Sequence, residues 1–326
     1  MEKQPTDMLQ KARSYRNVLT TGFHLYTDNF RRLFKASWLL ALLYAVAGGC
    51  LGTLVGIKMP EITIGIMQQL ALYQSFSLET AMQYFVTLAE IVGLMLCCIV
   101  TMSMASGTLL NKLKEHKDTG AISMPPHWLT ASPRLIGRTL KAVFLTLLVT
   151  LIPFVLFVGA MVLAELASSG FVVRHLVTVL VTFAVFTIIV LLLALPLMHV
   201  QMKYIMEAPC GYWKTLGSSY GRAMHHWGSL FNVFFLSTLL VMVASFVIGL
   251  PAVILNFANQ QAHLGLLMGD PLGMPSYIAP LTFTTAMLCS FLEFYISQVT
   301  LVHNYYIYGS IEAKEQEREQ QKDNIQ

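Results

Sequence analysis

Charge is what this sequence has least of. Of its 326 residues only 12% are Asp, Glu, Lys or Arg, and 56% are hydrophobic. An ordinary soluble domain carries about 25% charged residues. A water-soluble fold this apolar would expose patches that aggregate, so a soluble enzyme and a disordered chain are both excluded. Cysteine is scarce as well: Cys50, Cys97, Cys98, Cys210 and Cys289 form no C-x-x-C pair. That argues against a disulfide framework and leaves buried free thiols as the expectation. The sequence has no phosphate loop, nucleophile elbow, zinc signature or EF-hand loop, and no cofactor is expected. Period-two alternation is missing too, which excludes an outer-membrane barrel. The first 37 residues or so are polar, where a cleavable signal peptide would already show its apolar core.

What the chain does have is long apolar runs. A membrane-spanning helix needs about 20 mostly apolar residues. Six segments qualify, at 38–57, 85–107, 142–164, 175–200, 230–255 and 281–303. The expected fold class is therefore all-α: a polytopic membrane helix bundle forming a single domain over 1–310, with a polar cytoplasmic tail at 311–326. Lys and Arg cluster before the first run, after the second and fourth, and in the tail; only Lys58 and Arg174 fall on the other side. This asymmetry predicts both termini in the cytoplasm and a cytoplasmic (inner) membrane location. It also accounts for the net charge of +4 as a matter of topology, so no nucleic-acid partner is expected. Trp38, Trp128, Trp213 and Trp227 all fall at the level expected for the cytoplasmic interface.

The runs pair into three hairpins, and each is preceded by an amphipathic stretch expected to lie in the headgroup plane. Before the first run Tyr15, Leu19, Phe23, Tyr26, Phe30 and Leu33 recur at helical spacing. Before the fifth run Trp213, Leu216, Tyr220, Met224 and Trp227 do the same, and before the third run Leu135, Ile136 and Leu140 form a shorter version. The junctions echo one another: Phe34-Lys35-Ala36-Ser37-Trp38 resembles Leu140-Lys141-Ala142-Val143-Phe144 and, more faintly, Leu230-Phe231-Asn232-Val233-Phe234. At the exits, His199 is followed by Tyr204 and Glu207, and His303 by Tyr308 and Glu312. This pattern, with the ending His303-Asn304-Tyr305-Tyr306-Ile307-Tyr308-Gly309-Ser310-Ile311-Glu312, resembles a broad group of mostly uncharacterised bacterial six-span integral membrane proteins. That group is itself similar to the membrane domain attached to some glycerophosphodiester phosphodiesterases. The resemblance implies a cytoplasmic-membrane location. It carries over no catalytic residue, because the soluble phosphodiesterase domain has no counterpart here.

Ionisable groups inside a bilayer are functional candidates. Glu90 in the second run and Glu293 in the sixth lie at similar depth. They could couple protons or capture a cation, or they could be protonated carboxyls bonded to a neighbouring helix. His199 and His303 occupy matching places near the ends of the fourth and sixth runs. Two histidines do not make a metal site, so interfacial hydrogen bonding is the expectation. Gly48, Gly52 and Gly56 recur every four residues, a row that lets helices approach closely, within one chain or between copies. Pro153, Pro196 and Pro251 interrupt the third, fourth and fifth runs. The leading functional expectation is a non-enzymatic scaffold or a factor that interacts with lipids or partners. It would contact membrane lipids, their anionic headgroups, and either a second copy or another membrane protein. The alternatives are a transporter of small molecules or ions using the intramembrane Glu residues, and a membrane-embedded enzyme.

Overall fold

The computed structural model describes residues 9, 11–73, 77–120, 122, 133–167, 172–207, 210–269 and 275–324. Trp128, Asp270 and Pro271 lie outside them, as do the side chains of Pro153, Arg174 and His175. Among the described residues there is no strand. The helices are α1 Tyr15–Asp28, α2 Phe30–Thr53, a π-helical segment Leu54–Lys58, α3 Met59–Tyr73, α4 Leu78–Thr119, α5 Pro133–Ala167, α6 Val172–Met206, α7 Tyr212–His225, α8 Trp227–Leu267 and α9 Ile278–Asp323.

Five segments are long and apolar enough to cross a membrane: Phe30–Gln69, Leu78–Thr119, Leu180–Met206, Trp227–Gly265 and Ile278–Asp323. Large apolar side chains such as Phe85, Phe246 and Ile254 stand exposed along them, as they must where hydrocarbon is the solvent. The chain is a multi-pass membrane protein. α5 carries the run expected at 142–164 within one continuous helix, and Leu135, Ile136 and Leu140 are the first turns of that same helix.

The chain divides into two compact units, each drawn from distant segments. One comprises residues 1–32, 107–238 and 300–326; the other comprises 33–106 and 239–299. In the first, α5 packs along α6, and α6 packs against α7. In the second, Leu40, Ala41, Ala105, Phe294 and Tyr295 form a buried cluster, with Tyr44 and Phe291 against it.

The two short helices α1 and α7 are built alike. Each has 14 residues, and each is separated from the next long helix by one residue: Asn29 at φ −103°, ψ 5° and His226 at φ −101°, ψ 21°. At one common offset the buried positions Val18, Gly22 and Tyr26 of α1 fall on Thr215, Ser219 and Ala223 of α7. The same offset aligns Phe34 with Phe231, one residue away from the alignment read from the sequence. Ser14 caps α1, its Oγ accepting from the Asn17 N–H. Ser310 Oγ in turn accepts from the Arg13 N–H at 2.9 Å.

Two interior prolines are handled in the same way. A proline has no N–H to give the preceding turn and opens the helix there. In both helices the carbonyl three residues before the proline accepts a bond from a neighbouring helix. Tyr220 donates to Leu193 O at 3.4 Å beside Pro196. Cys289 donates to Ile248 O at 3.2 Å beside Pro251.

The polar tail expected at 311–326 is helical to Asp323. Its first turn belongs to the packed structure: Ser310, Ile311 and Ala313 are buried.

Candidate functional site

The second unit encloses a cavity of about 510 Å³ whose walls come from α2, the π segment, α4, α8 and α9. Tyr44, Gly48, Cys98, Asn256, Ser290 and Glu293 are among its lining residues. Three features of the sequence create it. Gly48 and Gly52 bring α2 against α9. Pro251 interrupts α8 beside the wall residues Gly249 and Ala252. Glu293 stands one turn from Cys289 and Ser290 on α9, so acid, hydroxyl and thiol share a face. Glu293 is half-buried and makes no hydrogen bond or ion pair among the described residues. Its Oε1 faces Gly249, where an added Cβ would sit 3.8 Å away.

The glycine row packs inside the chain. A Cβ at Gly48 would strike Ser290, at Gly52 it would strike Ala286, and at Gly56 it would strike Asn256. Gly49 is equally confined, with Phe283 at 2.9 Å. Of the two arrangements open to the row, the structure contains close packing within the monomer.

Glu90 is a different kind of acid from Glu293. Its carboxylate pairs with Lys58 Nζ at 3.3 Å, and both side chains are about half exposed, at 43% and 51%. The π segment sets this up: the Met59 N–H donates to Leu54 O, five residues back, which turns the end of the helix relative to an α-helical register.

The two histidines sit in separate settings within the first unit. His303 is buried, and its Nδ1 lies 2.7 Å from Ser237 Oγ. Its ring fills the space left by Gly22, where a Cβ would come within 2.6 Å of Cδ2. His199 is buried beside Tyr308, ring centroids 5.5 Å apart. Its Nε2 is 3.2 Å from Glu312 Oε1, off the direction needed for a hydrogen bond. Lys203 Nζ bonds the same oxygen at 2.8 Å and lies 3.9 Å from Glu207 Oε2. Tyr308 donates to Glu207 Oε1 at 2.6 Å. The row His199, Lys203, Glu207, at i, i+4 and i+8, thus meets the row Tyr308, Glu312. These are the exit residues that echo one another in sequence. A second pair lies further along α9, where His226 Nε2 is 2.7 Å from Glu315 Oε1. Burial lowers the pKa of His226, while Glu315 raises it and Arg318 and Lys314 lower it.

Among the described residues no three His, Cys, Asp or Glu side chains gather as metal ligands. Reading the sequence alone missed Lys203 and Glu312 as a pair, and Asn256, Ser290 and Tyr44 as companions of Glu293. The four-residue spacing on α6 and α9 was the available signal for the first set. The second set needed the packing partners of the glycine row. No family model matches the chain, and neither the curated proteins nor the solved structures include a match.

Proposed function

We propose that this is a six-span protein of the cytoplasmic membrane, with both termini in the cytoplasm, that binds a small cationic or protonatable ligand at Glu293 and moves it across the bilayer. The sixth span is α5, and the orientation rests on the distribution of Lys and Arg. One observation carries the functional reading: Glu293 lies in an apolar helix, lines a cavity of about 510 Å³ and has no partner among the described residues. A carboxylate in hydrocarbon needs a counter-charge or a proton. The cavity volume falls in the usual range for small-molecule sites.

Within the cavity Glu293 supplies the charge. Ser290 and Asn256 supply hydrogen-bonding groups, and the Tyr44 ring offers an aromatic face to a cation. The Pro251 break gives α8 a place to flex, as interrupted helices do in many transporters. This reading takes precedence over the scaffold expected from sequence, because a scaffold leaves such an acid against a packed helix. Glu90, already paired with Lys58, has a structural role at the outer end. His199 and His303 brace helix ends.

The test is binding of a fluorescent lipophilic amine to proteoliposomes, and its movement under a pH gradient. Wild-type protein is expected to bind and accumulate the amine. Glu293→Gln is expected to insert normally and bind at least about tenfold more weakly, as befits loss of a charge-assisted contact. Equal binding by both proteins would overturn the proposal. So would failure of Glu293→Gln to accumulate in membranes, since the acid would then be structural.

A further inference from the structure

A second cavity, in the first unit, lies between α5, α6 and α7 and has a volume of about 490 Å³. Its walls are apolar: Val149 from α5, Val190, Leu193 and Leu197 from α6, and Leu216 from α7. It sits at the Pro196 break, where Tyr220 reaches across to Leu193 O.

Two glycines, Gly217 and Gly221, complete the α7 wall. Elsewhere in this unit glycine makes room for a neighbour: Gly22 for His303, Gly309 for Leu9 and Gly107 for Ile136. At Gly217 and Gly221 a Cβ would meet nothing within 4 Å. Glycine inside a helix costs about 1 kcal/mol relative to alanine, and no contact within the described chain accounts for that cost at these two positions. The space they leave is the cavity itself.

Lys214 precedes Gly217 by three residues, so Lys214, Gly217 and Gly221 share one face of α7. Lys214 is exposed and makes no ion pair among the described residues. Arg222 on the same helix approaches Glu319 at 3.8 Å. Trp213 beside Lys214 is 57% exposed, the environment an indole takes at headgroup depth. Leu192, Leu193 and Ile189 on α6 are exposed next to the opening. The cavity therefore continues into the surface that lipid covers, with a cation one helical turn from it.

From this arrangement we infer that α6 and α7 form a specific site for one anionic glycerophospholipid of the membrane. An acyl chain occupies the cavity between Val190, Leu197 and Gly217, and the phosphate lies against Lys214. The apolar walls select a chain, and the unpaired cation selects the charge of the headgroup. The site is independent of the carboxyl cavity in the other unit.

The experiment is native mass spectrometry of the purified full chain, equilibrated with equal amounts of phosphatidylglycerol and phosphatidylcholine carrying the same acyl chains. Wild-type protein is expected to retain one phosphatidylglycerol, about tenfold over phosphatidylcholine, as for a contact worth 1.4 kcal/mol. Gly217→Leu fills the cavity without a clash and is expected to lower retention of both lipids about tenfold. Lys214→Gln is expected to keep a lipid but lose the preference. Gly228→Leu is just as unhindered but lies outside the cavity, and is expected to match wild type. If Gly217→Leu does not fold, as judged by its melting curve, Val190→Trp blocks the cavity from α6 and takes its place. Unchanged retention in the cavity-filling variant, or equal retention of the two lipids by wild type, overturns the inference.

Discussion

At the scale of single residues, two oxygens bear most of the load. Glu312 Oε1 takes Lys203 at 2.8 Å with both side chains nearly buried, at 12% and 13% exposed. Removing one partner leaves the other charge uncompensated, a loss of about 3 kcal/mol. Lys203→Met is therefore expected to lower the melting midpoint sharply in detergent, and Lys203→Met with Glu312→Leu to recover much of it. Glu315 Oε1 does the second job, holding His226. Burial is the largest influence on His226 and pushes its folded pKa below the ordinary value. The unfolded chain then takes up the proton more readily. The stabilisation is complete above about pH 6.5 and is lost as pH falls through the lower folded value. Melting midpoints measured from pH 7.5 to 5 are expected to fall for wild type and to fall less for His226→Asn, which borrows the residue used at Asn29. None of these pairings was legible beforehand. Lys203 and Glu312 are 109 positions apart in the chain, and only folding tells which acid meets which base.

At the scale of elements, apolar runs located the helices but not their ends. α4 begins at Leu78 and continues to Thr119, and α9 continues to Asp323. A helix follows its backbone bonds into water, where hydropathy no longer marks it. The four-residue glycine spacing was legible, yet its partners on α9 were not, because a row of small residues states only that something comes close. Gly52→Val places a side chain against Ala286 and is expected to cost about 1–3 kcal/mol, read as a lower melting midpoint and less protein in the membrane. An unchanged midpoint with altered oligomer size would instead assign the row to contacts between copies. The likeness of α1 and α7 was visible in the sequence as rhythm, and their one-residue breaks became visible only as φ and ψ. The prolines were legible as interruptions. That Tyr220 and Cys289 would each bond the carbonyl three residues earlier was not. Tyr220→Phe and Cys289→Ala are expected to cost about 1 kcal/mol apiece, measured by chemical denaturation in mixed micelles.

At the scale of the whole molecule, the chain is a multi-pass helical membrane protein, and this much followed from its shortage of charge. Which way it faces is open to direct measurement. Cys210, exposed in the structure, is expected to react with a membrane-impermeant maleimide only in inverted vesicles. A cysteine introduced at Met67, which is also exposed, is expected to react only in right-side-out ones. Between Leu54 and Lys58 the backbone makes one wide turn that holds a residue more than α-helical spacing allows. Excising a single residue there would restore ordinary winding and rotate everything from Met59 onward by about 100°. Lys58 would swing away from Glu90, while Gly48 and Gly52 would keep their fit. The segment thus works as a phase setter: one deletion, with no change of composition, re-aims α3 and leaves the carboxyl cavity's upstream wall untouched.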